Sequence, residues 1–385
     1  MVKQILEKKE KKVEYVELIY DLIFVYIIGR NNSLLHHITG GFVDPLSFVA
    51  YVLCTLAVIQ IWNFSTYYIN IYGRHSVREH IFLFLNMFLL YFIGEGTRAD
   101  WAGYHTMYHV AWALILINIG VQYAIELRSH CAPANRRQIV RMMVILFCEA
   151  LIALTAIIEF RLLQTSWLSL AAILFGMGMV LFFGRRSSNQ SFVDFPHLSE
   201  RAMLYVVFTF GEMVIAVSGY FSDEITPNNL YFAAMAFLIV VGLFLSYGVF
   251  YDHIIDRDRN TNGLLYMLMH IFIIFSLNNI TIALEFMRDE HVDLLQKMVL
   301  LMVSFLLYFA FLFATVGYAK TICYAKGRVL ARVGLMGAVF AVLMIVTRAN
   351  VYWSVTISVA FVFAVFWVLY SYGKRVDCPL PARKT

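Results

Sequence analysis

Apolar runs of about 20 residues, each closed by a short polar or basic stretch, recur from residue 15 to residue 372. As a helix, a run of that length spans the ~30 Å hydrocarbon core of a bilayer. The pattern predicts twelve helices, give or take one short or polar-interrupted run. Their approximate spans are 15–36, 46–70, 79–95, 104–126, 138–160, 165–184, 198–220, 229–251, 262–285, 297–319, 329–347 and 350–372. The fold class expected is all-α, a polytopic membrane protein.

Within these runs the polar positions are few and placed at helical spacing. Residues 17–25 read ELIYDLIFV, so Glu17 and Asp21 lie one turn apart and share a face with Phe24, Ile28 and Asn32. An acid pair in lipid is costly, and such groups face a bundle interior or a water-filled cavity. The second half of the chain repeats the theme: Glu200 opens a run in which Arg201, Tyr205, Glu212 and Gly219 fall on one stripe. Arg201 is suited to neutralise Glu17 or Asp21, or to snorkel to the interface. Glu212 is expected close to the midplane, as a proton- or cation-binding carboxylate. Glu17 and Asp21 also admit a plainer reading, as acids favoured near a helix N-terminus.

Further polar candidates are His270, a proton relay or a structurally bonded histidine with Asn86 or Asn278 as its partner, and Asn63, Tyr67 and Asn70 along helix 2. Asn63, Tyr67, Asn86, Glu149 and Asn278 are taken as the lining of a polar cavity. Glu159 and Arg161 fall near the outer end of helix 5. His105 and His109, four apart on helix 4, supply only two ligands and do not make a metal site.

Thirteen N-terminal residues rich in Lys and Glu lack the apolar core of a cleavable signal, so the first helix is expected to act as the insertion signal. The N-terminus, the C-terminus, and the loops and flanking helix ends after helices 2, 4, 6, 8 and 10 hold 24 of the 30 Lys and Arg residues. The loop before Leu230 carries Asp223 and Glu224 and no base. By the positive-inside rule both termini are cytoplasmic. The halves match at an offset of 183 residues, Glu17 with Glu200, Tyr68 with Tyr251 and Arg74 with Arg257; a one-residue slip sets Asn86 opposite His270. An even number of helices per half makes this a parallel repeat, residues 1–190 and 191–385, joined by the polar segment 185–197.

Composition agrees with the pattern: 61% of residues are hydrophobic, only 14% are charged, and the mean hydropathy is +0.73, which excludes an ordinary soluble domain. Five scattered cysteines (Cys54, Cys131, Cys148, Cys323 and Cys378) without a CxxC argue against a disulfide framework or a zinc site. There is no GxxxxGK[ST], HExxH or GxSxG motif, so ATP-driven transport within the chain and familiar hydrolase chemistry are not indicated.

The opening ELIYDLIFV resembles the signature of the bacterial low-temperature-requirement A (LtrA) family, which begins with an ELFFDLVFV-like helix. Trp62 and Tyr67–Asn70 are similar to that family's aromatic-polar end of helix 2. Gly211–Glu212 resembles its Gly-Glu pair in helix 7, Tyr251–Asp252 its ending of helix 8, and His270 its histidine of helix 9. Helix 8 lacks the family's usual tryptophans, and Met213 stands where a small polar residue is common. The resemblance implies the fold and leaves the molecular activity unassigned.

The functional expectation is a secondary transporter or a proton-linked ion channel, with Glu17, Asp21, Arg201, Glu212 and His270 along the path. A membrane-embedded lipid-modifying enzyme and a non-transporting sensor or assembly factor are the alternatives. No catalytic residue, cofactor, metal or nucleic-acid partner is called for; the partners are the lipid bilayer and an unidentified small solute or ion.

Overall fold

The computed structural model describes residues 11–95, 101–129, 133–186, 193–221, 225–321 and 326–377. Asp223, Glu224, Cys131, Cys323, Cys378, most of the basic N-terminus and the middle of the 185–197 linker lie outside the described residues. Twelve α-helices follow one another: α1 Tyr15–Asn31, α2 Pro45–Tyr72, α3 Val77–Glu95, α4 Trp101–Glu126, α5 Pro133–Leu163, α6 Trp167–Arg186, α7 Phe195–Ser218, α8 Pro227–Val249, α9 Leu264–Arg288, α10 Leu294–Ala314, α11 Lys326–Val346 and α12 Val351–Asp377. The described residues are predominantly helical, with a two-residue-per-strand hairpin, Ile38–Thr39 with Phe42–Val43, and a single bridge between Ile255 and Ala319.

Eleven of these helices, α2 to α12, carry windows long and apolar enough to cross a membrane. The exception is α1, whose 17 residues give ~26 Å of helix. The sequence pattern extends that helix to residue 36, but the α-helix stops at Asn31 and tightens into a 3-10 turn over Asn32–His36. Ser33 Oγ donates to the Arg30 carbonyl (2.9 Å) and so competes with the backbone ladder, while Asn278 Nδ2 of α9 donates to the Asn32 side chain (2.8 Å) and holds the turn.

Helix starts are set by recognisable caps. Asp44 accepts from Ser47 N (3.0 Å) ahead of Pro45 in α2, and Thr226 accepts from Asn229 N (3.1 Å) ahead of Pro227 in α8. Asp194 caps α7 in the same way. Glu159, near the end of α5, accepts from the amides of Trp167 (3.0 Å) and Leu168 (2.7 Å) and thereby caps α6. At the end of α8 the ladder widens to a π turn over Phe250–Ile254.

Packing places α1, α2, α7 and α9 at the centre. α1 contacts α2, α3 and α7; α2 contacts α4, α6, α7 and α9; and α7 contacts α8 and α9. The outer helices turn apolar side chains outward: Ile81, Phe84, Phe88 and Tyr91 of α3 fall at helical spacing and are all exposed. In water such a stripe would be a liability, whereas lipid accepts it without cost.

Candidate functional site

The α1–α7 contact is built around a buried ion cluster. Arg201 grips Asp21 with two guanidinium nitrogens, Nε to Oδ2 at 3.4 Å and NH2 to Oδ1, while its third, NH1, lies 3.1 Å from Glu17 Oε2. All three side chains are buried, Asp21 and Arg201 completely. The planar guanidinium suits this task, since its fork can serve two carboxylates at once. Arg201 is therefore inside the bundle and does not snorkel.

Surrounding groups fix the cluster. The Trp62 indole N–H donates to Asp21 Oδ1 (2.7 Å), and the indole ring packs on Tyr205 with centroids 4.3 Å apart. Asn70 Nδ2 donates to His197 Nδ1 (3.0 Å). The other ring nitrogen, Nε2, lies 3.4 Å from Glu17 Oε2. Asn70 also exchanges hydrogen bonds with the Asp194 backbone (2.8 and 3.0 Å), so α2 holds the start of α7. His75 approaches Glu17 (3.8 Å) and Glu14 (3.0 Å) from the loop after α2, with a positive φ of 55° that a non-glycine residue seldom adopts. At the same end Lys11 donates to the carbonyls of Ile69 and Gly73, which closes α2. Burial lowers the Lys11 pKa, against the pull of the Glu17 and Glu79 carboxylates.

Glu212 stands apart, ~16 Å further along α7 from Arg201. Glu212 lies six residues before the C-terminal end of α7. It is half-buried and lies against Gly29 of α1: a Cβ added there would come within 2.6 Å of Glu212 Oε1, so glycine makes room for the carboxyl. Glu285 of α9 lines one crevice with Met213, Ala216 and Val217 of α7, and His36 lies 3.9 Å from Glu285. A polar network completes this end. Tyr51 OH donates to Asn279 Oδ1 (3.1 Å) and accepts from Asn278 Nδ2 (2.9 Å).

The remaining sequence candidates separate. Asn86 donates to Tyr20 OH (3.2 Å) and accepts from Asn118 (2.7 Å), a packed chain behind α1. His270 does not meet Asn86 or Asn278. Its Nδ1 donates to the Tyr266 carbonyl (2.8 Å) and its Nε2 pairs with Tyr247 OH (3.0 Å), so both nitrogens are engaged within α8 and α9. Asn63 and Tyr67 line a cavity of about 110 Å³ between α2, α5, α6 and α9. Glu149 bonds Gln60 of α2 on the side of that helix away from Asp21. His105 and His109 stack with ring centroids 4.0 Å apart; His109 is bonded to the His105 carbonyl and to Ser169 Oγ. Cys54 and Cys148 are free thiols.

Sequence reasoning passed over His197, Gln60 and Glu285. His197 carried a usable signal, standing four residues before Arg201 and eight before Tyr205 on one stripe. Glu285 likewise falls inside an apolar run.

Helices of this number, length and outward apolarity, around a buried ion cluster, define a polytopic integral membrane protein. The chain belongs to the bacterial low temperature requirement A (LtrA) family, whose model matches residues 12–371. No curated protein and no solved structure matches the chain.

Proposed function

We propose that this protein is a secondary transporter or proton-linked ion channel, with its path along the α1–α7 seam between two six-helix halves. The halves are residues 1–190 and 191–385, in parallel orientation, with both termini on the cytoplasmic side of the bacterial membrane. The observation that carries this reading is the buried cluster in which Arg201 of one half holds Asp21 and Glu17 of the other.

Burying three ionised groups in a membrane protein gains little stability over an apolar core, because desolvation offsets the attraction. It does create a contact that a proton or a charged solute can exchange. A proton or cation reaching Asp21 weakens the hold of Arg201 and lets the halves part at that end. Trp62 and Tyr205, packed on each other beside the cluster, close the seam when Arg201 is engaged. Glu212 and Glu285, at the other end, attract the cation, with the Glu212 carboxyl seated against Gly29.

The repeat is supported by details outside the sequence offset. The capped starts of α2 and α8, Asp44-Pro45 and Thr226-Pro227, are 182 residues apart. The fourth helix of each half sends a tyrosine to a backbone carbonyl of the second helix: Tyr108 to Cys54 O (3.1 Å) and Tyr308 to Leu243 O (3.0 Å). In each half the first helix packs on the second and third, and the second on the sixth. Such halves suit rocking about a central site.

The test is ion flux in proteoliposomes with Asp21→Asn. The substituted amide oxygen can still accept from Trp62, and Arg201 keeps Glu17, so a folded protein is expected on gel filtration. Flux should be lost. Wild-type flux from the folded variant would sink the proposal for Asp21.

A further inference from the structure

On α2, Gln60 stands two residues before Trp62 and so points about 200° away from the seam around the helix. There it meets Glu149, in the middle of α5. Gln60 Nε2 donates to Glu149 Oε2 (3.4 Å) and to the Ile173 carbonyl of α6 (3.3 Å). Glu149 is completely buried and Gln60 is 1% exposed. Two oxygens of this pair, Glu149 Oε1 and Gln60 Oε1, have no hydrogen-bond donor among the described residues. Gly176 of α6 closes the third side: a Cβ there would fall 1.9 Å from Glu149 Oε2 and 2.2 Å from Gln60 Nε2. A larger residue would displace the carboxyl, so three mid-helix positions on three helices are fitted to one acid.

Glu149 itself is enclosed, and the pair meets open space through Gln60. Gln60 forms the inner wall of the 110 Å³ cavity, which runs towards the end of the bundle where α5 starts and α2 finishes. Polar groups mark the route from that end: Gln138, Asn262, Tyr67 and Asn63. The charged and titratable side chains along it are Arg141, Tyr67 and Tyr123. Arg141 is eight residues, or ~12 Å, from Glu149 and lies over the Phe183 ring at 5.1 Å, so it is no counter-ion to the acid. A buried carboxyl without a cationic partner in a membrane must take up a proton or pair with a cation. The acceptor atoms offered are all oxygens, which suit a proton or a hard cation.

We infer that Glu149 and Gln60 form a mid-membrane binding site for a proton or a small monovalent cation, entered from one membrane face through the α2–α5–α6–α9 cavity. The site does not depend on the α1–α7 path, because Glu149 faces the opposite side of α2.

Dicyclohexylcarbodiimide tests it, because this reagent forms a stable acylurea with a protonated carboxyl in an apolar setting. The full-length protein in membranes is treated across a pH series, with sodium or with choline as the only cation, and the adduct on Glu149 is read by peptide mass spectrometry. The expected result is an adduct on Glu149 that is lost either on adding sodium, which identifies a metal cation, or only on raising the pH, which identifies a proton. Glu149→Gln removes the adduct, and Gly176→Val should suppress it by displacing the carboxyl. No adduct on native protein while the unfolded protein is labelled, or an adduct indifferent to both sodium and pH, would overturn the inference. The readout is a covalent mark on Glu149 and not flux, so its failure leaves the seam proposal standing, and the reverse also holds.

Discussion

Replacing Arg201 by methionine would leave Glu17 and Asp21 buried, one turn apart, with no guanidinium between them. Met has a similar length and no charge, so packing against Tyr205 and Trp62 is largely kept and the loss is electrostatic. Removing one partner of a buried ion pair costs about 3–5 kcal/mol, because an uncompensated charge remains. At 1.4 kcal/mol per factor of ten, that is about two to three and a half powers of ten in the folded population. His197 and His75 remain near Glu17 and can offset part of it, but among the described residues no other cation forms an ion pair with Asp21. Removing the acids as well should recover most of the loss, since a neutral cluster of similar volume is close to isoenergetic with the buried ions. The comparison is therefore wild type, Arg201→Met, and the triple Glu17→Gln/Asp21→Asn/Arg201→Met. The assay is thermal unfolding in detergent at one fixed scan rate, followed by tryptophan fluorescence, to which Trp62 contributes from inside the cluster. The single variant should melt well below wild type and the triple close to it. A single variant as stable as wild type, or a triple as unstable as the single, would refute the electrostatic account.

Other outcomes follow from individual contacts. Gly29→Ala forces Glu212 Oε1 to move from 2.6 Å, which a flexible side chain can do; thermal stability should change by less than about 1 kcal/mol while flux changes clearly. Tyr51→Phe deprives both Asn278 and Asn279 of a partner and should cost about 1–3 kcal/mol in thermal unfolding. His270→Phe leaves the Tyr247 hydroxyl without its imidazole partner while the Tyr266 carbonyl keeps its helical bond, so it should lower stability by a similar ~1–3 kcal/mol, with flux per folded molecule retained. Loss of flux from a stable His270→Phe would instead make His270 part of the path.

The helices were legible because each span must be apolar for about 20 residues, a signal that needs no knowledge of packing. The acid pair was legible for the same reason inverted: Glu17 and Asp21 break a run in which charge is costly, and so demand a partner. Arg201 could be named as that partner because it stands near the start of its own apolar run, as the acids do of theirs. Hidden from the sequence was the geometry that depends on which helices become neighbours. Trp62 donating to Asp21 looks, in one dimension, like any aromatic in an apolar run. The Glu149–Gln60–Gly176 fit joins α2, α5 and α6, whose positions are 27 to 116 residues apart in the chain. His270 met its own i−4 carbonyl and a tyrosine of α8, because histidines in helices readily bond back along their own turn. The early end of α1 turned on the Ser33 hydroxyl bonding the Arg30 carbonyl and on Asn278 of α9 holding the Asn32 side chain, effects that hydropathy does not register.

The most direct measurement is proton flux into proteoliposomes under an imposed pH gradient at a controlled membrane potential, comparing wild type with Glu212→Gln. Glu212 lies on the seam, is half-buried and makes no ion pair among the described residues, so the substitution should leave the fold intact. Flux in wild type that disappears in the folded variant is the result expected of a proton path along α1 and α7. Equal flux in both, or flux in neither across the range of gradients and potentials, would contradict a proton-conducting seam that depends on Glu212.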